Sequence, residues 1–330
     1  MQAEFAAEFL RCPACHSDQT LALAPSSSDD REVREGELTC SACGTRFPIH
    51  RGVADLLHDP PDHVRREAAG LARFAEVMTA EGWDREKILT LPHIQDGYWY
   101  VQSTMFDQLL DRLDLRPGQT LLDIGSNTLW ATSQFAERGL RAIALDIATV
   151  ELQGLYTSDF YFDAGRNYFE RVLGTMNDIP IASGSLDYVF CAEVLHHNDP
   201  AGLRQTFEEA HRVLKHGGKL LVINETLKYL RDRDGVNVEG VEQFEGYEHA
   251  HWALQYRLGA HRAGFIRSRL IAPVYSPLLH PWAPRPDWRV DPVGFVRHCA
   301  RYNRVMRVFN LMWLNHVAGG VQFSMIAIKG

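Results

Sequence analysis

The chain has no basic start. Met1 is followed by Gln2, Ala3, Glu4 and Phe5, with acid where an export signal carries base. It also has no uninterrupted apolar run long enough to cross a bilayer. The longest candidate, 305–321, is broken by Arg307, Asn310, Asn315 and His316, and reads as a buried or amphipathic helix. Positive charge is in deficit, at a net −8, which disfavours nucleic acid as the main partner. Cysteine is scarce. Of the six, Cys12, Cys15, Cys40 and Cys43 form two CxxC pairs, while Cys191 and Cys299 stand alone as small buried hydrophobes. Paired cysteines without an export signal point to metal and not to disulfides. The expectation is a cytoplasmic protein with no membrane partner.

With 330 residues, 45% of them hydrophobic, the chain has material for one large and one small domain. The first block is acidic: five arginines stand against nine aspartates and glutamates over residues 1–57, so it is net negative. Within it, a 24-residue spacer separates Cys15 from Cys40. Each CxxC closes a knuckle that aims two sulfurs at one metal, and two knuckles complete a tetrahedral thiolate site. Four sulfurs leave no open position, so the ion expected on Cys12, Cys15, Cys40 and Cys43 is a structural zinc. Pro60-Pro61 ends the block.

Cys12-Pro13-Ala14-Cys15, Leu38-Thr39-Cys40-Ser41-Ala42-Cys43-Gly44, Phe47-Pro48-Ile49 and Gly52-Val53 together resemble a zinc-ribbon family. That family includes the small activator subunit of tRNA, rRNA and release-factor methyltransferases. The likeness covers about the first 57 residues. It implies a stabiliser of a methyltransferase, here fused in cis.

Beyond residue 60, Val64, Ala68, Leu71, Phe74, Ala75 and Met78 recur at helical spacing, which predicts a helix from 62 to about 90. An aromatic loop, Tyr98-Trp99-Tyr100, and a helix over 102–113 follow. Strand-like and helix-like segments then alternate: strands at 120–124, 141–145, 186–191, 219–223 and 320–329, and helices at 131–138, 203–214 and 248–263. That pattern predicts an α/β domain on a mostly parallel sheet. The stretch 273–292, rich in Pro, Trp and His and including Trp282 and Trp288, reads as an insertion or lid.

A buried strand runs into Asp123 and a turn, Gly125-Ser126-Asn127-Thr128-Leu129. A second strand ends in Asp146, where a carboxylate is placed to hold two ribose hydroxyls. With Asp178-Ile179-Pro180, Leu186-Asp187-Tyr188-Val189-Phe190, Glu193-Val194-Leu195-His196-His197 and Arg212-Val213-Leu214 to Gly217-Gly218, the order resembles class I S-adenosylmethionine (SAM)-dependent methyltransferases of the ubiquinone-biosynthesis-like branch. The resemblance covers roughly 98–270 and implies a Rossmann-like domain with a seven-stranded, mostly parallel sheet and helices on both faces. It places Asp123, Gly125 and Asn127 at the methionine end of SAM, Asp146 at the ribose, and Ile147, Thr175 and Met176 near the adenine. Ala192 and Glu193 would face the sulfonium or the acceptor. The sequence departs from the family where Asn127 and Leu129 replace later glycines.

The expected divisions are a zinc ribbon over 1–58, a helical linker and cap over 59–100, and a methyltransferase domain over 101–330 with its lid around 273–312. Candidate general bases are His196, His197 and Glu225, with structural alternatives: packing or capping for His196, and a solvated loop carboxylate or helix cap for Glu225. Substrate-side candidates are Tyr98, Tyr100, Glu245, His249 and His251. The functional expectation is methylation of a small molecule, oxygen before nitrogen. Two alternatives stand beside it: an RNA or protein methyltransferase with its activator in cis, and a non-catalytic scaffold of the same fold.

Overall fold

The computed structural model describes residues 1–94, 96–225, 249, 251–271, 287–292 and 323–330. The expectations for Glu245, Trp282, Cys299 and most of the 273–312 insertion lie outside the described residues.

The N-terminal block opens with α1 (Phe5–Phe9) and forms an antiparallel meander of β1 (Leu21–Ser28), β2 (Val33–Cys40), β3 (Arg46–His50) and β4 (Val53–Asp55). Then come α2 (Asp62–Ala80), α3 (Arg85–Thr90) and α4 (Gly97–Leu110). The α/β part runs β5 (Thr120–Ile124), α5 (Trp130–Glu137), β6 (Arg141–Asp146), α6 (Ser158–Asp163), β7 (Glu170–Leu173), β8 (Leu186–Ala192), α7 (Pro200–Val213), β9 (Leu214–Glu225), α8 (Ala253–Arg262), β10 (Phe265–Ile271) and β11 (Phe323–Lys329).

Among the described residues all the strands join one 11-stranded sheet in the order β1-β2-β3-β4-β7-β6-β5-β8-β9-β11-β10. The seven strands from β7 to β10 are the expected α/β sheet, with β5 through β9 parallel and β11 reversed. The ribbon extends that sheet: β4 pairs in parallel with β7, Ala54 opposite Val172 and Asp55 opposite Leu173. Strands covered on both faces read as continuous apolar runs, and every residue of β5 is buried. One core, with Phe5, Phe9, Phe207 and Tyr256, lies under α1, α7 and α8. The other, with Trp99, Phe106, Trp130, Phe135 and Phe190, lies under α4 and α5.

Two of the differences from the sequence reading bear on the site. The helix expected from 62 to about 90 breaks at Gly82, and α3 restarts at Arg85 behind Asp84, whose carboxylate caps Lys87 N at 2.9 Å. Tyr98-Trp99-Tyr100 is not a loop but the first turn of α4. The Asp96 carboxylate accepts from Tyr98 N at 2.9 Å and Trp99 N at 3.2 Å, the arrangement that starts a helix.

The junction of ribbon and α/β part is charged, with Arg171 at its buried centre. Arg171 of β7 is fully buried and meets Glu32 of the ribbon. It also donates to Ser158 Oγ at 3.0 Å and to the carbonyls of Arg51 and Gly52 at 3.3 Å. Its guanidinium lies 4.9 Å from the centre of the Phe162 ring. Farther along, Arg141 of β6 makes a two-pronged contact with Glu8 at 2.7 and 2.8 Å. Immediately beyond β7 come Gly174, Thr175 and Met176, so the strand that holds the ribbon leads straight into the functional cavity.

Candidate active site and metal centre

The four cysteines converge. Cys12 Sγ lies 3.7 Å from Cys43 Sγ, Cys15 Sγ lies 3.7 Å from Cys40 Sγ, and all four sulfurs fall within 4.8 Å of one another. A tetrahedral zinc with bonds of about 2.3 Å separates its sulfurs by about 3.8 Å, so the donor set fits that ion. The knuckles are built alike. His16 N donates to Cys12 O and Gly44 N to Cys40 O, each at 2.8 Å, and both residues are left-handed, at φ 60° and 76°. Gly44 takes this conformation without strain, while His16 takes it with a side chain.

A cavity of about 810 Å³ opens at the carboxyl ends of β5, β6 and β8, the edge where open α/β sheets bind ligands. Asp123, Gly125, Asn127, Asp146, Ile147, Thr175, Met176, Ala192 and Glu193 all line it. The turn keeps a left-handed backbone despite its departure from the glycine-rich pattern. Gly125, Asn127 and Leu129 are left-handed at φ 63°, 46° and 63°. Leu129 turns its side chain away from the cavity into the core, where it is fully buried. Burying a leucine contributes about 1.5–3 kcal/mol, which offsets the roughly 1–2 kcal/mol of a left-handed non-glycine residue. At Gly125 the alternative is closed: an added Cβ would lie 2.3 Å from Val194 Cγ2.

Both carboxylates at the ends of β5 and β6 are nearly inaccessible. Asp146 accepts from Asn127 N at 2.8 Å and Ala148 N at 3.0 Å, which ties the turn after β5 to the end of β6. Burial pushes its pKa up to about 6 against those amide donors. Asp123 accepts from Thr132 Oγ1 at 2.5 Å, and burial, with Asp146 nearby, pushes it up to about 7. In the cavity lining, Ser126 Oγ and Gln102 Oε1 are buried without a hydrogen-bond partner. Raised carboxylates and unmet polar atoms in one cleft mark a place where a polar ligand completes the bonding.

The opposite wall comes from α2 and α4. Tyr98 OH and Gln102 Nε2, one helical turn apart, both donate to Glu193 Oε2, the second at 2.9 Å, and Asn224 Nδ2 donates to Glu193 Oε1. Burial and the Glu193 charge hold the Tyr98 phenol well above its usual pKa. His196 and His197 also line the cavity. His197 Nδ1 lies 2.6 Å from Glu67 Oε1 of α2, and His196 Nδ1 lies 3.0 Å from Glu225 Oε2.

Four expected site residues sit elsewhere. Glu225 does not line the cavity and is no solvated carboxylate: it is fully buried at the end of β9. It accepts from Val194 N and Leu195 N at 2.9 Å and His196 N at 3.2 Å, besides the His196 ring. Burial would raise its pKa, but His196 and the amides hold it below the ordinary value. A carboxylate so occupied orients His196 and is not itself a base toward a ligand. His251 is also buried away from the cavity, its Nε2 2.8 Å from Asn198 O. His249 is held by its backbone, N to His196 O at 2.6 Å. Tyr100 lies off the cavity on the helix that carries Tyr98. Conversely, the sequence reading missed Glu67, Phe74, Trp83, Gln102 and Trp130 as cavity residues. Gln102 was legible as the residue four after Tyr98 on a helix, had α4 been started at residue 97.

The fold and this cavity define a Rossmann-like methyltransferase domain, and comparison with known proteins agrees. Residues 122–222 match the model of a methyltransferase domain, and residues 6–52 match that of Trm112p-like proteins. The chain thus joins a Trm112p-like N-terminal domain to a methyltransferase domain. Over 123 residues it is 37% identical to the biotin biosynthesis bifunctional protein BioHC of Cellvibrio japonicus, covering 37% of this chain and 23% of that protein. Over 141 residues it is 34% identical to malonyl-acyl-carrier-protein O-methyltransferase 1 of Coxiella burnetii, covering 41% of this chain and 45% of that one. The chain therefore spans less than half the length of each of these relatives. Among solved structures, geranyl diphosphate C-methyltransferase from Streptomyces coelicolor, bound to magnesium, a thiolodiphosphate analogue and S-adenosylhomocysteine, superposes with a TM-score of 0.50 at 15% identity. That match covers 82% of this chain and 99% of that one, and it shows the fold alone. Among the described residues, no helix is long and apolar enough to cross a membrane.

Proposed function

We propose that the protein is a SAM-dependent methyltransferase acting on a small-molecule acceptor, with a structural zinc in its N-terminal ribbon. The observation that carries this reading is the pair of buried carboxylates, Asp123 and Asp146, at the ends of adjacent strands around the left-handed turn of Gly125, Asn127 and Leu129. Asp146 would hold the ribose and Asp123 the methionine end, with Ile147, Thr175 and Met176 beside the adenine. Ala192 and Glu193 would face the reacting end. When bound, SAM supplies a methyl group already activated on a sulfonium. The chain's own task is then to orient the acceptor and exclude water. A volume of about 810 Å³ accommodates a cofactor and a compact acceptor together.

His196, oriented by Glu225, is the candidate base, and His197, paired with Glu67, the second. The boundaries of ribbon (1–58), helical cap (59–100) and catalytic domain (101–330) remain part of this reading, as does a cytoplasmic location. A supporting role for the ribbon follows from the β4–β7 pairing, which continues into Gly174, Thr175 and Met176 at the cavity. The test is transfer of label from methyl-labelled SAM into a panel of small molecules, a total RNA fraction and a protein fraction. Label in small molecules supports the reading. Label confined to RNA or protein favours the alternative in which the ribbon activates a macromolecular methyltransferase.

A further inference from the structure

We infer that the outer half of the cavity recognises its acceptor through an amine carried on an apolar body, and rejects carboxylates and phosphates. This rests on the reading above that the inner half holds SAM. The wall facing the nucleotide end combines Phe74, Trp83, Tyr98 and Trp99 with the carboxylates of Glu67 and Glu193. The Tyr98 and Trp99 rings meet edge to face at 5.2 Å, and Trp83 stands 6.3 Å from Trp99. Among the described residues lining the cavity there is no lysine and no arginine. Aromatic faces beside carboxylates are the surroundings that attract an ammonium group.

Gln102 gives the second, independent indication. Its side chain is on a residue only 2% exposed, and its Nε2 donates to Glu193 Oε2 at 2.9 Å and Tyr98 OH at 3.0 Å. That fixes the amide's orientation, because the opposite flip would set its oxygen against the carboxylate. Gln102 Oε1 is then a buried acceptor with no donor. Leaving such an atom unmet is unfavourable, and an N–H from the ligand satisfies it. A carboxylate or phosphate ligand supplies no such donor and meets the Glu193 charge instead. Nor is there a carboxylate cluster to bridge an anion through a metal: among the described residues the one group with metal-ligand geometry is the four cysteines.

The test uses the full-length, zinc-loaded protein with S-adenosylhomocysteine, and reads quenching of the cavity tryptophans, Trp83, Trp99 and Trp130, on titration with three isosteric probes. These are phenethylamine, 2-phenylethanol and 3-phenylpropanoate. The expected result is that the amine binds about tenfold or more tighter than either of the others. Gln102→Leu should narrow the preference for the amine over the carboxylate while S-adenosylhomocysteine still binds. Equal or tighter binding of the carboxylate or the alcohol overturns the inference, as does the absence of binding by all three probes. The wild-type series stands whether or not Gln102→Leu folds. Titration of S-adenosylhomocysteine in the same samples separates the two levels. Failure of the cofactor to bind sinks the methyltransferase reading, whereas cofactor binding with an anion preference sinks this one alone.

Discussion

Replacing Glu225 by glutamine removes the charge that pins residues 194–196 to the end of β9. In the native protein one fully buried carboxylate takes four donors, three backbone amides and the His196 ring. Glutamine keeps one oxygen, so one amide pair stays bonded and the other side of the group meets donors with a donor. Loss of charge-assisted bonds in a dry site costs about 2–4 kcal/mol, a fall in melting temperature of about 3–8 °C for a chain of this size. The pH dependence identifies the cause. Because the folded carboxylate sits below its ordinary pKa, its stabilisation is fully present above the ordinary carboxylate range and is lost as pH falls through the folded value. The gap between Glu225→Gln and wild type should therefore be widest near neutrality and narrow as pH falls below the ordinary carboxylate range toward the folded value. Thermal melts of both proteins from pH 3.5 to 8 measure it. Equal melting at pH 7, or a gap that persists unchanged in acid, refutes the pinning role.

Three further outcomes follow from the same geometry. Cys40→Ser should release the zinc and lower the melting temperature, because the ion ties both knuckles; metal loss with unchanged melting would show that the ribbon does not depend on it. Asp146→Ala should weaken S-adenosylhomocysteine binding about tenfold or more by calorimetry, and unchanged affinity would overturn the ribose assignment. Asp123 at about 7 and Asp146 at about 6 lie above their ordinary value of 3.8, so the ligand-free fold is stabilised by their protons in acid and loses that contribution as pH rises from about 4 to about 7. A ligand that donates to these carboxylates favours their ionised forms. Binding at pH 6.5 should then release protons, and the measured heat should change between buffers of different ionisation enthalpy; identical heats would contradict this.

The parts of the fold that were legible are those where one residue type has one physical use. Two CxxC pairs announce a tetrahedral site, and an apolar strand ending in Asp123 before Gly125 announces a ligand turn. What escaped depended on partners distant in sequence. Nothing local distinguishes Val53-Ala54-Asp55 from other short apolar segments, yet its pairing with Val172 and Leu173 turns two domains into one sheet. Glu225 read as a loop carboxylate because its four donors lie about 30 residues earlier. Leu129 looked like damage to the glycine turn, since a sequence does not reveal that a left-handed leucine can face the core. Tyr98 was placed in a loop because aromatic residues are indifferent helix formers, while the Asp96 cap that decides the matter was overlooked.

The most direct measurement is calorimetric titration of the zinc-loaded protein with SAM and with S-adenosylhomocysteine. One molecule of either should bind per chain, with affinity reduced in Asp146→Ala. A folded, zinc-loaded sample that takes up neither would contradict the methyltransferase reading and leave the scaffold alternative standing.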